Sequence, residues 1–218
     1  MSRERTDALI AKLAADLELV KPIAPIWQGV AGLFLVAAFT AAGVFASQGP
    51  TPSVWSNFLR DLTYAAVLIG LVAAVAGSWT GALASVIPGR ELLLRLGSGV
   101  AVAGLLLALC VAAWLTPWGS ARLEPAASLL ACIGRAAGFA ALPAAAALGL
   151  TARGWSGRPA VTVGLGVLGA GAAGALLVHL TCPTVEPLHA LFTHASPPIL
   201  IALLVTGAMA PSMGRWAR

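Results

Sequence analysis

Three cysteines and three histidines are the side chains of this sequence whose types are best suited to chemistry. They are Cys110, Cys132, Cys182, His179, His189 and His194. Thiolates and imidazoles bind soft or borderline metal ions, and thiols also change state on oxidation. All six fall toward the same ends of the apolar segments described below. Their distribution favours a metal-binding or redox-sensitive site on one side of the molecule.

Cys132 and Cys182 are the two cysteines that we expect to be chemically active. They would lie close together if the segments carrying them are hairpin neighbours, and they could then form a disulfide or bind a metal ion. The simpler alternative is that the thiols are small apolar side chains and the histidines are interfacial hydrogen-bonding groups. We interpret Cys110, which is surrounded by Leu and Ala in the sequence, in this simpler way.

Arg135 follows Cys132 by three residues, so the two share a helix face. A guanidinium near a thiol favours the reactive thiolate. Alternatively, Arg135 extends to the lipid headgroups, which avoids the cost of a charge inside the bilayer. We favour the second interpretation and treat Arg135, His179, His189 and His194 as supporting residues.

The elements that position these residues are apolar segments long enough to cross a membrane. The 218 residues are 59% hydrophobic and 10% charged, with a mean hydropathy of +0.92. A span needs about 20 apolar residues, and lipid permits only helices or closed barrels. Segments rich in Ala, Leu, Val and Gly predict an all-α integral membrane bundle of six transmembrane helices. The predicted spans are Trp27–Ser47, Leu62–Val86, Leu96–Leu115, Ala126–Leu150, Pro159–Leu180 and Leu188–Ala210.

The positive charges predict how the bundle is oriented. Lys and Arg concentrate in cytoplasmic connections. One set of connections and tails holds Arg3, Arg5, Lys12, Lys21, Arg90, Arg95, Arg153, Arg158, Arg215 and Arg218, whereas the other holds Arg60 and Arg122. Both termini are therefore predicted to be cytoplasmic. The scatter of these charges over short connections argues against nucleic acid as a partner.

The N-terminal tail is predicted to be an amphipathic helix. From Thr6 to Val20 the apolar residues recur at three- and four-residue spacing, at Leu9, Ile10, Leu13, Leu17 and Val20. A helix of about 15 residues is marginal alone in water, so its apolar stripe needs lipid, the bundle or another protein to cover it. Matched acids and bases with no aromatic residue favour a protein groove over lipid. Residues 1–26 thus form a cytoplasmic tail, 27–210 the transmembrane domain and 211–218 a second tail.

Enzyme and transporter signatures are missing from the sequence. It has no phosphate-binding glycine loop and no nucleophile elbow, so we predict that the protein is not an enzyme. The acidic residues Asp61, Glu91, Glu124 and Glu186 fall in connections, whereas transporters usually keep carboxylates inside the membrane. A small thiol-dependent redox enzyme using Cys132, Cys182 and Arg135, or a metal or solute transporter, are the alternatives.

Both ends of the chain resemble the NrsF-type membrane anti-sigma factors of bacteria. The resemblance rests on residues 5–17 (RTDALIAKLAADL), the following Val20-Lys21-Pro22, Cys132, residues 179–183 (HLTCP), His194 and the closing Gly214-Arg215-Trp216. Members of that family typically have a His directly before the Cys-Pro pair. Here Leu180 and Thr181 intervene.

The resemblance implies a negative regulator in the bacterial inner membrane. Its cytosolic tail would hold an extracytoplasmic-function sigma factor, and a periplasmic metal or oxidative signal at Cys132 and Cys182 would release it. The partner-binding residues would be Leu9, Ile10, Leu13 and Leu17 on the buried face, with Asp7 and Asp16 on the rim. We predict no permanent cofactor and a transient metal ion at most, and the sequence does not indicate an oligomeric state.

Overall fold

The chain folds as an all-α bundle whose six long apolar helices can each span a membrane. The computed structural model describes residues 25–118, 125–154, 156–184 and 186–216, with side chains up to residue 209. Its helices are α1 (Ile26–Gln48), α2 (Val54–Arg60), α3 (Leu62–Ala84), α4 (Glu91–Leu115), α5 (Ala126–Thr151), α6 (Pro159–Thr181), α7 (Pro187–Ala190) and α8 (Pro197–Trp216). The fold class and the six predicted spans are confirmed, and the protein is a multi-pass membrane protein.

The partner-binding prediction falls on part of the tail that the structure does not describe. Asp7, Leu9, Ile10, Leu13, Asp16 and Leu17 all lie outside the described residues. Parts of the remaining chain differ from the sequence prediction. Helix α4 begins at Glu91, more than a turn before the predicted Leu96, and the short α2 was not predicted.

Helices α3 and α6 form the centre of the bundle, and both are mostly buried. Helix α3 packs most extensively against α4, and α6 packs against α5, α3 and α8. Helices α1 and α5 bury few residues and expose apolar side chains such as Phe39 and Leu142. In hydrocarbon such exposure carries no hydrophobic cost, so packing between helices depends on close van der Waals contact.

Glycines permit that close contact between neighbouring backbones. A Cβ added to Gly77 of α3 would lie 2.5 Å from the carbonyl oxygen of Gly97 and 2.5 Å from the backbone nitrogen of Ala101, both on α4. Gly70 of α3 and Gly104 of α4 make the same kind of close backbone contact at a second position along the two helices. The small residues that the sequence places in span two are therefore contact points between helices.

One hydroxyl contact joins the end of α3 to the start of α6. The hydroxyls of Ser85 and Thr162 lie 2.7 Å apart, and the Thr162 hydroxyl also lies 2.7 Å from that of Ser156, in the connection before α6. Beside them a cleft of about 570 Å³ opens, lined by residues that include Glu91, Arg95 and Arg158. This cleft lies at the end of the bundle where α1 begins, and we call that end the tail end.

At the other end, which we call the Cys182 end, the last span is interrupted. Helix α7 leads into one turn of π-helix at Leu191–Ala195, and α8 then begins at Pro197. Pro197 and Pro198 have no backbone N–H, so neither can donate to the carbonyl four residues earlier. The N–H of Ser196 instead donates to Leu191 five residues back, at 3.1 Å, and the chain widens there.

Replacing Gly77 with Leu should destabilise the bundle because the new side chain would meet the backbone of α4. Overpacking of this kind costs about 1–3 kcal/mol, and backbone cannot move aside as a flexible side chain can. Thermal unfolding in detergent, followed by circular dichroism, would measure the loss. Gly99→Leu is the matched control, since Gly99 is an exposed residue of α4 with open space beside it. Equal melting temperatures for the two variants would contradict the packing account.

Candidate functional site

A cysteine and three histidines meet at the Cys182 end, and we call Cys182, His179, His189 and His194 the Cys-His cluster. The ligand atoms of Cys182, His189 and His194 all lie within 4.8 Å of one another. The Sγ of Cys182 is 3.4 Å from Nε2 of His189. The rings of His189 and His194 have centroids 5.2 Å apart. All four side chains are buried.

The local chain path explains why these residues meet. Helix α6 ends at Thr181, and its C-cap is Cys182, which Pro183 follows. An α-helix turns about 100° per residue, so two residues five positions apart would point about 140° away from each other. The π turn contains one extra residue per turn. It brings His194 back toward the side on which His189 lies, as the ring contact shows.

Tyr64 and His179 connect the cluster to α3. Nε2 of His179 lies 3.1 Å from the backbone carbonyl oxygen of Tyr64, and because a carbonyl can only accept, Nε2 must be the donor. The phenol ring of Tyr64 stacks on the imidazole of His179, with centroids 4.1 Å apart. The hydroxyl of Tyr64 also donates to the carbonyl of His179, at 3.4 Å. His179 is thus fixed both in position and in the location of its proton.

The proton on His179 determines the proton on His194. An uncharged imidazole, the form that burial away from water favours, carries one N–H and one bare nitrogen. With its proton on Nε2, His179 has a bare Nδ1, which lies 3.0 Å from Nδ1 of His194. Nδ1 of His194 must therefore donate, which leaves its Nε2 bare. That Nε2 is buried and has no hydrogen-bond partner among the described residues.

Cys182 has the environment of an activated thiol. Burial by itself raises the pKa of the Cys182 thiol, but the hydrogen bond with His189 and those with Thr184 outweigh it. The pKa of Cys182 consequently lies below the ordinary value of a cysteine. A thiolate is the form that binds metals and reacts with oxidants.

The remaining sequence-predicted residues have different surroundings. Cys132 is half-buried near the start of α5, at the Cys182 end, but its thiol is not one of the three ligand atoms within 4.8 Å. All three cysteines are thiols in this structure, and Cys110 is exposed on α4. Arg135 is exposed on α5, which agrees with extension toward the headgroups. The structure therefore brings Cys182 together with the histidines.

Tyr64 is the residue of this site that sequence analysis missed. It is the only tyrosine of the chain, and it begins an apolar span where an aromatic residue is typical of a membrane interface. Asp61 caps the same helix, since its Oδ1 accepts from the backbone N–H of Tyr64 at 2.8 Å. Nothing in the sequence links this helix start to His179, 115 residues away.

Comparison of the chain with models of known protein families, with curated proteins and with solved structures finds no match.

The lowered pKa of Cys182 should be visible in its reactivity. In a chain carrying Cys110→Ser and Cys132→Ser, the rate of modification by methyl methanethiosulfonate should rise with pH through a midpoint below that of an ordinary cysteine. His189→Phe removes the hydrogen bond to sulfur, so the midpoint should move to higher pH. The measurement is the modification rate against pH, by mass spectrometry.

His189→Gln is the control for this experiment. Its amide N–H can still donate to sulfur, so its midpoint should lie between those of the parent and His189→Phe. Identical midpoints in all three chains, with circular dichroism unchanged, would show that His189 does not influence the thiol.

Proposed function

We propose that the protein is a membrane-bound anti-sigma factor whose N-terminal tail holds an extracytoplasmic-function sigma factor. In this proposal, a metal or oxidative signal acts at the Cys182 end and releases the sigma factor at the tail end. The observation that carries the proposal is the buried Cys-His cluster at the end of the bundle opposite the start of α1. The resemblance of the tail and of residues 179–183 to NrsF-type proteins supports a sigma factor as the partner that is held and released.

The orientation follows from the charges of the connections. The tail end carries the Arg-rich connections, including Arg90 and Arg158, and in this proposal it faces the cytoplasm. The Cys182 end then faces the periplasm of the inner membrane. That compartment is oxidising, so a thiol there is exposed to the signals that thiols report.

Helix α6 is the element best placed to couple the two ends. Its C-terminal end carries His179 and Cys182, whereas Arg158 and Val161 at its start line the cleft at the tail end. The helix is mostly buried and contacts α3, α5 and α8. In this proposal, a displacement at Cys182 is transmitted along this continuous helix to the end of the bundle where α1 begins.

The energetic requirement on this coupling is small. A signal changes the grip on the sigma factor only by the difference in its affinity for the two states of the bundle. A tenfold loss of sigma-factor affinity requires about 1.4 kcal/mol. One thiolate bond to a metal, or one change in thiol oxidation, is sufficient for that difference. Cys132, on a helix that packs against the π turn, would contribute to the oxidative response.

Replacing Leu13 with Asp should abolish retention of the sigma factor at the membrane. The substitution puts a charge on the apolar stripe of the tail, and burying an unpaired charge in a groove is prohibitive. Co-expression with the sigma factor encoded nearest to the gene, followed by a membrane pull-down, measures retention. We expect a reduction of more than tenfold, equivalent to the effect of deleting residues 1–22.

Ala15→Asp is the matched control, because residues two positions apart on a helix lie about 160° apart, and Ala15 would face away from the stripe of the predicted tail helix. That variant should retain the sigma factor. Retention by Leu13→Asp, or no retention by the unmodified chain while it is inserted in the membrane, would contradict the proposal.

Release should depend on the cysteines near the Cys182 end. Adding Zn²⁺ or hydrogen peroxide to cells should reduce retention by the unmodified chain at least tenfold. A Cys132→Ser, Cys182→Ser double variant should keep the sigma factor bound, whereas Cys110→Ser should release it normally. The same membrane pull-down measures retention of the sigma factor by each of these chains. Release from the double variant would show that the signal acts elsewhere.

A further inference from the structure

We propose that Cys182, His189 and His194 form a tetrahedral site for one borderline divalent cation of the Zn²⁺ class, with His179 as a positioning residue rather than a ligand. This inference deepens the proposed function, on which it rests for its biological role, because it names what the sensor binds. The binding itself is a property of the membrane domain and can be measured without a sigma factor.

The spacing of the three ligand atoms fits such a cation. Zn–S bonds of about 2.3 Å and Zn–N bonds of about 2.0–2.1 Å place tetrahedral ligand atoms about 3.3–3.6 Å from one another. Cys182 Sγ and His189 Nε2 are already 3.4 Å apart. The ligand atoms that the three residues offer all lie within 4.8 Å of one another, so closing the site requires movements of no more than about 1 Å.

His194 is prepared for this role by its neighbours. The chain of contacts from the Tyr64 carbonyl through His179 puts the proton of His194 on Nδ1 and leaves Nε2 bare. A metal-ligating histidine usually has its second nitrogen donating to another group, which fixes the tautomer and the ring. Nε2 of His194 is buried and has no hydrogen-bond partner among the described side chains, a costly state that a metal bond would remove.

The donor atoms select the class of ion. One thiolate and two imidazoles suit Zn²⁺ and similar borderline ions, whereas Mg²⁺ and Ca²⁺ prefer oxygen ligands. Three protein ligands leave a fourth position for water or another small donor. Alkaline-earth ions should therefore not bind at this site.

His179 cannot serve as a fourth ligand without giving up its present contacts. Its Nε2 donates to the Tyr64 carbonyl, and its Nδ1 accepts from His194. Its ring is also held by stacking on Tyr64. It therefore acts on the metal only through His194.

Binding would connect two separate parts of the chain. Cys182 caps the end of α6, whereas His189 and His194 belong to α7 and the π turn. Closing these ligand atoms around one cation would draw the π turn and the end of α6 toward each other. The metal thus favours one arrangement of these segments over another, which the proposed release requires.

Co²⁺ titration of the purified full-length protein in detergent, under reducing and oxygen-free conditions, tests the site. We expect one Co²⁺ per chain, visible absorption typical of tetrahedral Co²⁺, a sulfur-to-cobalt charge-transfer band, and displacement by Zn²⁺ but not by Mg²⁺. Cys182→Ser should abolish the charge-transfer band, and His194→Ala should weaken binding at least tenfold. Cys110→Ser and Cys132→Ser are matched controls that should keep the band.

His179 has a separate test. His179→Leu should weaken Co²⁺ binding by about 10- to 100-fold, the usual effect of losing a group that orients a ligand, while the charge-transfer band keeps its position. His179→Asn offers an amide oxygen that can accept from His194, so it should recover part of the affinity. A merely structural role would not produce that recovery, and its absence would remove His179 from the positioning role.

Three results would each contradict the proposed metal site. They are no Co²⁺ binding by folded wild-type protein, a charge-transfer band that survives Cys182→Ser, or a band that requires Cys132. Circular dichroism and size-exclusion chromatography of every variant identify those that fail to fold. A chain that retains the sigma factor but binds no Co²⁺ refutes this inference alone, whereas Co²⁺ binding without retention refutes the anti-sigma function alone.

Discussion

Hydrocarbon cannot form hydrogen bonds, and this constraint determines where the chain can leave the helical conformation. A backbone carbonyl without a donor is tolerated at membrane depth only where protein covers it. The irregular backbone around the π turn is covered in this way, since α3, α4, α5 and α6 all contact Leu191–Ala195. The hydroxyl of Thr193 donates to the carbonyl of His189 at 2.7 Å. The same cover that protects the irregular backbone also excludes lipid from the imidazoles.

Close packing of the central helices gives the site its fixed geometry. Tyr64 and His179 belong to α3 and α6, the two most buried helices, so their contact joins rigid elements and not loops. A ligand held by such elements keeps its orientation when the surrounding lipid moves. The connection from Cys182 to Glu186 is short. Just before it, the carbonyl oxygen of Leu180 accepts from the backbone N–H of Thr51 at 3.1 Å.

Most of the fold was predictable because lipid simplifies the problem. Span length and composition are sufficient to locate α1, α3, α5 and α6 to within about a turn. The early start of α4 was missed because Arg95 was assigned to a connection. In the structure α4 continues past Arg95 to Glu91, whose acidic side chain suits the first turn of a helix.

The site was only partly predictable, for physical reasons. The types of the residues identified Cys182 and the histidines, but α-helical periodicity separates His189 from His194. The carbonyls left without donors by Pro197 and Pro198 are the signal that could have indicated the wider turn. Tyr64 contributes its backbone carbonyl and its ring, and no local pattern marks a carbonyl for use by a distant histidine. The pairing of Cys132 with Cys182 stays a prediction.

The π turn has a consequence for how this protein can change in length during evolution. Over the same rotation a π turn holds about one residue more than an α turn, so deleting one residue from Leu191–Ala195 would give an α turn and leave the direction of α8 nearly unchanged. Ala202 would then keep its packing with Val163 and Val167 of α6. Related chains should therefore tolerate the loss of one residue at this turn without repacking α8, whereas the loss of a second would rotate the helix by about 100°.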